Sequence, residues 1–248
     1  MLLLLFVVYA LSLSGALARA GIQSRTAPFA GSTPRQPPRR VLIIGGTGGT
    51  GRKLVEQALE RGYVVTALVR DPSRLHIRHE RLTVVKGDIL DASAVDGAVK
   101  GQDAVVSALG HKRYLGPTRI LSEGTRHVLY AMDTHGVPRL ITETSLGIGD
   151  SAGRMGLLYT LFVIPVILPF YFWDKARQER LIAASALEWV IVRPGALTNG
   201  EKRGVRREGL SVGSFLWTVK IARSDVAGFM LDQLTSDTYL RMGPGVSW

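Results

Sequence analysis

The sequence predicts an α/β fold, a doubly wound parallel sheet in a single domain. Three observations carry this. Short runs rich in Val, Ile and Leu alternate with amphipathic helical stretches from about residue 40 onward, the pattern of successive βαβ units. A run of glycines joins the first strand to the first helix. The 248 residues, 46% hydrophobic and 21% charged, suffice for one large core and contain no internal repeat. Right-handed crossovers between parallel strands then place helices on both faces of the sheet.

Residues 1–20 open on an apolar run from Leu2 to Leu11, followed by the small-x-small site Ala16-Leu17-Ala18. This is the pattern of a signal or targeting segment, although the terminal amine is its only positive charge ahead of the run. Residues 21–39 are rich in Ser, Thr, Pro, Ala and Arg and lack acids, so they cannot bury a core and read as a disordered or transit-like linker. The two together predict an organellar, plastid-type address or a membrane association. The folded domain is expected over 40–248.

Within it, 41–44 reads as a buried strand. A helix over 51–61 puts Leu54, Val55, Ala58 and Leu59 on one face, with Gly62 at the stop position. Strands follow over 63–69 and 82–86, a helix over 92–99, a strand over 104–108 and a long helix over 118–135 closed by Gly136. Then come a strand over 140–144, a helix over 175–186, a strand over 189–192, a helix over 225–234 capped by Ser224, and an edge strand over 239–242.

Composition narrows the chemistry. With no cysteine, disulfides, thiolate metal sites and cysteine nucleophiles are excluded. The net charge of +11 favours anionic partners. Nucleic acid is not expected, because basic and aromatic residues do not interleave on one element. The run Lys202, Arg203, Arg206, Arg207 reads as a solvated loop.

The main motif is Gly45-Gly46-Thr47-Gly48-Gly49-Thr50-Gly51, directly after a strand and opening a helix. A tight turn, close backbone approach to a diphosphate and close helix–strand packing each require a residue without a side chain. The helix N-terminus offers free N–H groups to the anion. Gly45, Thr47, Gly48, Gly49, Thr50 and Gly51 are therefore expected to bind a dinucleotide. An NTPase phosphate loop is disfavoured because Arg52-Lys53 follows where Lys-Ser or Lys-Thr is needed. At the end of the second strand, 19 residues after Gly51, stands Arg70. An Arg here pairs with a 2′-phosphate, and Arg74 offers a second cation, so NADP(H) is expected in preference to NAD(H). Asp71 is the residue that argues the other way.

These features resemble the Rossmann-fold short-chain dehydrogenase/reductase superfamily, in particular its atypical, NAD(P)H-binding, NmrA-like group that includes flavin reductase/biliverdin reductase B. The matching blocks are GGTGGTGRKLVEQALERGYVVTALVRDPSRL from Gly45, Lys86-Gly87-Asp88-Ile89, GQDAVVSALG from Gly101, Ser122-Glu123-Gly124-Thr125-Arg126, and SALEWVIVRPG from Ser185. The resemblance implies that Asp88 and Ile89 flank the adenine. It places Ala108, Leu109 and Gly110 along the ribose side, and Arg193, Pro194 and Gly195 near the nicotinamide. It also implies that Ser145, ending the fifth strand, orients the substrate oxygen.

Tyr171-x-x-x-Lys175 would set a phenol beside an ammonium on one helix face, lowering the phenol's pKa and making it an acid–base group. Ser145 and Tyr171 are 26 residues apart, about twice the usual gap in the superfamily, and the helix reads as starting only at 175. Residues 155–173 carry no charge, approach the length of a membrane span, and read as a lid over the site, a membrane-surface contact or a span. Gly149-Asp150-Ser151-Ala152-Gly153 matches a hydrolase elbow without the strand that should precede it, and His76-x-x-His79 has metal spacing without further ligands. The expected function is NADPH-dependent hydride transfer to a small flavin, quinone-like or carbonyl acceptor, apolar or aromatic in character. The alternative is an NADP(H)-binding sensor or assembly factor with little turnover.

Overall fold

The computed structural model describes residues 2–22, 37–114, 116–204 and 206–248. The expected linker lies, over 23–36, outside the described residues. In chain order the elements are α1 (Leu2–Ala20), β1 (Arg40–Ile44), α2 (Gly49–Glu60), β2 (Val64–Val69), β3 (Leu82–Lys86), α3 (Ala92–Val99), β4 (Ala104–Ser107), α4 (Ile120–Thr134) and β5 (Arg139–Glu143). There follow α5 (Pro169–Ala184), β6 (Glu188–Pro194), β7 (Ala196–Thr198), β8 (Arg207–Gly209), β9 (Lys220–Ala222), α6 (Arg223–Asp232) and β10 (Gly245–Ser247).

The main sheet has the order β3-β2-β1-β4-β5-β6-β10-β8. It is parallel through β10, and β8 closes it antiparallel. The chain leaves β1 for β2 on one side and returns to β4 on the other, so the crevice where a dinucleotide lies across an open α/β sheet falls between β1 and β4. Side chains alternate across each strand. Val41 and Ile43 therefore join the core under α2 and α6, with Leu54, Val55 and Phe229. Leu42 and Ile44 join the core under α3, α4 and α5, with Val95, Met132 and Ile182. Burial on both faces explains why these strands read as unbroken apolar runs.

Three elements depart from the sequence reading. Helix α5 begins at Pro169, six residues before the expected start, with a proline in its first turn, where the missing N–H costs nothing. Helix α6 begins at Arg223, so Ser224 sits inside its first turn and caps nothing; its hydroxyl is buried without a partner. The edge strand over 239–242 does not form. Arg241 adopts a φ of 57°, which breaks an extended run, and β10 takes the position beside β6 instead.

Ahead of α5 the chain runs as a π-helix, Tyr159–Ile167, with Pro165 inside it and its end closed by Leu168 N–H donating to Val163 O at 3.0 Å. Helix α1 packs on this segment. Its Ala10 and Leu17 are buried, and Tyr9 Oη donates to Pro165 O at 3.2 Å. The stretch Leu3–Ala20 is long and apolar enough to cross a membrane, and most of it is unburied. Beyond α1, Ile22 O accepts from Asp150 N–H at 3.3 Å and from Arg193 Nη2 at 3.4 Å.

Candidate active site

The glycine turn has the geometry its composition demands. Gly45 adopts a φ of 83°, and a Cβ there would stand 2.5 Å from Ala108 O at the end of β4. A Cβ on Gly51 would stand 2.0 Å from Gly45 O. The first position serves the turn and the crossing of β1 and β4; the second lets α2 start close against the strand. Gly48, the N-cap of α2, supplies no side-chain cap, and Gly48 and Gly49 are exposed. The uncapped amides of the first turn thus face outward at the sheet's switch point, which fits a diphosphate. Thr47 is half-buried beside them. Thr50 points inward and donates its hydroxyl to Glu143 Oε1 at 3.1 Å.

At the end of β2, Arg70 and Arg74 are both exposed, and neither has a carboxylate within ion-pair distance among the described residues. Arg52 Nη2 holds the Arg74 carbonyl at 3.1 Å. Asp71 is engaged elsewhere: its Oδ1 accepts from Ser73 N at 3.1 Å and Ser73 Oγ at 2.6 Å, capping a 3-10 turn at Pro72–Arg74. The Ser73 hydroxyl holds this carboxyl below its usual range. At the end of β3, Asp88 is exposed and accepts from Leu90 N–H at 3.0 Å, while Ile89 is buried against Gly124 of α4. Ala108 and Leu109 are half-buried and Gly110 is exposed at the end of β4.

Helix α5 is anchored by the residue between the two candidate catalytic side chains. Asp174 is buried, and its carboxylate accepts from Leu121 N–H at 2.9 Å, Ser122 N–H at 3.2 Å and Ser122 Oγ at 2.5 Å at the start of α4. Tyr171 and Lys175 are then stacked one helical turn apart, with Nζ 5.3 Å from the phenol ring centre. Lys175 is buried and donates to Glu143 O at 3.3 Å. The Tyr171 hydroxyl would stand 3.6 Å from a Cβ on Gly110, so α5 carries the phenol to the end of β4. The rings of His111 and Tyr114 meet the Tyr171 ring edge-on at 5.0 and 5.8 Å.

The phenol's protonation differs from the sequence expectation. Burial pushes the Tyr171 pKa well up, and Glu143 and Asp174 push it further, so the neutral phenol is favoured. Burial pushes the Lys175 ammonium down, against the pull of Glu143, Glu179 and Asp174. Burial likewise lowers the His111 imidazole, whose Nδ1 accepts from Arg113 N–H at 3.1 Å. Ser145 is half-buried just past the end of β5.

The Arg193 side chain does not line the strand-end crevice. It is 1% exposed and turned into the core, where it pairs with Glu179 at 2.7 Å and with Asp150. Pro194 is buried as the last residue of β6. Ser151 is buried and spends its hydroxyl on Ile148 O at 2.7 Å, so the Gly-x-Ser-x-Gly match is a loop. No group of three or more His, Cys, Asp or Glu able to hold a metal occurs among the described residues.

Two residues at the site escaped the sequence reading. Glu143, buried at the end of β5, links Thr50 of the phosphate turn to the neighbourhood of Lys175, and burial raises its carboxyl above the usual range. Arg223, opening α6, lies across the turn: a Cβ on Gly49 would stand 2.5 Å from its Cδ and 2.6 Å from its Nε. Its Nη1 donates to Asn199 Oδ1 at 2.7 Å. Gly49 has an ordinary φ, so this close approach, not backbone strain, is what requires glycine there.

A glycine turn at the switch point of a 3-2-1-4-5-6 parallel sheet, with Tyr-x-x-x-Lys brought to the ends of the same strands, defines a dinucleotide-binding protein of the short-chain dehydrogenase/reductase type. The profile of the NAD(P)H-binding family matches residues 45–237, and the chain belongs to that family. It is 29% identical over 175 residues to an uncharacterized chloroplastic protein of Arabidopsis thaliana, covering 67% of this chain and 62% of that one. It is 34% identical over 188 residues to a 3-diazoavenalumate denitrifying reductase of a Streptomyces species, covering 68% and 60%. The chain thus spans about 60% of the length of these two relatives. Among solved structures it shares the fold of a short-chain dehydrogenase/reductase from Veillonella parvula crystallised with NADP, with a TM-score of 0.68 at 20% identity, covering 85% of this chain and 95% of that one.

Proposed function

We propose that the protein is an NADPH-dependent reductase that passes hydride to an apolar or aromatic flavin, quinone-like or carbonyl acceptor. The observation that carries this reading is the Tyr171 phenol held against Lys175 beside Gly110, at the strand ends that flank the glycine turn. A nicotinamide bound there supplies the hydride. The chain's own residues do the rest. The first-turn amides of α2 grip the diphosphate, Arg223 lies across the same turn to face it, and Arg70 with Arg74 pairs the 2′-phosphate. Lys175 holds the ribose, Ser145 orients the acceptor oxygen, and Tyr171 delivers the proton that balances the hydride. His111 and Tyr114 wall the phenol with rings that keep water away.

The same two rings pack directly on the phenol, and this favours one second reading: an NADP(H)-occupied sensor or assembly factor with little turnover. The test is NADPH oxidation with a panel of flavins, quinones and carbonyls. Acceptor-dependent oxidation that falls in Tyr171→Phe supports the reductase. Tight NADPH binding without oxidation by any acceptor supports the sensor. The N-terminal segment fits an organellar signal, in keeping with the chloroplastic relative, and N-terminal sequencing of the protein isolated from its cells tests that.

A further inference from the structure

We infer that the π-helix Tyr159–Ile167, the start of α5 and the loop over 214–218 form one face that docks on the surface of a lipid bilayer. Main-chain contacts join the parts: Gly156 N–H donates to Ser214 O at 2.8 Å and Leu157 N–H to Leu216 O at 3.4 Å. The face presents Leu158, Phe162, Val166, Phe170, Phe215 and Trp217 to the outside, with Leu158 60% and Trp217 76% exposed. No charged residue occurs in 155–173 or in 214–219.

Lipid fits this surface better than a protein partner does. Protein interfaces carry polar groups at roughly one hydrogen bond per 100–200 Å², and the exposed side chains of this face offer only the indole N–H groups of Trp173 and Trp217. Helical bonds close both ends of the segment, Thr160 N–H donating to Gly156 O and Leu168 N–H to Val163 O, each at 3.0 Å, the pairing a segment entering hydrocarbon requires. Trp173 and Trp217 are exposed on it, and tryptophan favours the headgroup level. Exposed cations stand nearby: Lys220 follows the loop, and Lys112 and Arg113 precede Tyr114, whose ring packs on Tyr171 of α5. They match the phosphates of an anionic leaflet. Helix α1 continues the face with Leu4, Val8 and Leu11 outward. Its removal as a leader would uncover Ile148 and Ile164, which pack with Leu17, and so enlarge the same apolar surface.

The absence of cysteine makes the test direct, since one introduced thiol takes one label. The full chain is made with Trp217→Cys, Leu158→Cys or, as a control on exposed Tyr130 of α4, Tyr130→Cys, and each is labelled with a polarity-sensitive fluorophore. Vesicles of phosphatidylcholine and phosphatidylglycerol are then added. Docking predicts blue-shifted, brighter emission at 217 and 158 and no change at 130. It also predicts that the triple change Leu158→Ser, Phe162→Ser, Trp217→Ser weakens vesicle binding at least about tenfold, from the apolar area withdrawn. Vesicle flotation with silent probes at 217 and 158 assigns binding to α1 alone and overturns the inference. So does a blue shift that needs no vesicles and grows with protein concentration, which marks a second copy as the occupant, or no response of any kind.

Discussion

Replacing Arg70 by Ala should weaken NADPH binding and leave NADH binding almost untouched. The reasoning starts from the end of β2, where Arg70 is exposed and Asp71 has its carboxylate committed to Ser73 N and Oγ. Among the described residues there, the exposed guanidinia of Arg70 and Arg74 are placed to meet a ribose substituent. Hydrogen bonds from a charged donor contribute about 1.5–3 kcal/mol. Exposure and a Debye length of about 8 Å at physiological salt reduce that to about 1–2 kcal/mol for Arg70. The dissociation constant for NADPH should therefore rise about five- to thirtyfold. NADH lacks the phosphate, and its constant should stay within about twofold, because the amides of α2 are unaffected. Titrating the fluorescence of each reduced cofactor measures both constants, and raising the salt should narrow the difference between them in the unmodified protein. Equal weakening of both cofactors, or of neither, would refute the assignment of Arg70 to the 2′-phosphate.

Arg223→Ala should behave in the opposite way, weakening NADPH and NADH alike by about tenfold with Arg223→Lys intermediate, because the proposed placement sets its guanidinium against the diphosphate that both share; a loss confined to NADPH would be inconsistent with that placement. Arg193→Met leaves the buried Glu179 carboxylate without its partner and should cost about 3–5 kcal/mol in urea unfolding, while the double change with Glu179→Leu should recover much of it; a single-variant loss below about 1 kcal/mol would count against a buried pair. The pH profile of reduction should show no alkaline limb from Tyr171 until above about pH 10, since burial raises the phenol and the protonated form is the donor. A limb near pH 8 that disappears in Tyr171→Phe would contradict this.

Local signals carried most of the fold. Leu82–Lys86 and Ala92–Val99 form as read, because the strand's β-branched run and the Asp91 cap, whose Oδ1 accepts from Ser93 and Ala94 N–H, act within a few residues. The glycine turn was equally legible, since each glycine answers to a neighbour in the same strand–turn–helix unit or to β4. What escaped depends on distance along the chain. Nothing near Gly49 announces that Arg223 lies against it, and nothing near Thr50 announces Glu143. The start of α5 was misplaced because residues 155–173 are apolar throughout and have no period to read; Asp174, bonded to the first turn of α4, anchors the helix. Likeness places Arg193 near the nicotinamide, whereas the partners that turn its side chain inward, Glu179 and Asp150, come from two other elements. The phenol's pKa is lowered if Lys175 alone is considered, whereas burial and the Glu143 and Asp174 carboxylates raise it.

The position of Tyr171 between Phe170 and Trp173 has one more consequence. Those two neighbours point outward from the first turn of α5 while the phenol points toward Gly110. With that turn resting on a bilayer, an oily acceptor could slide sideways out of the hydrocarbon and meet the proton donor within a single residue's width. Its poor solubility would then be no obstacle to turnover, and the membrane itself would serve as the reservoir from which the enzyme is fed.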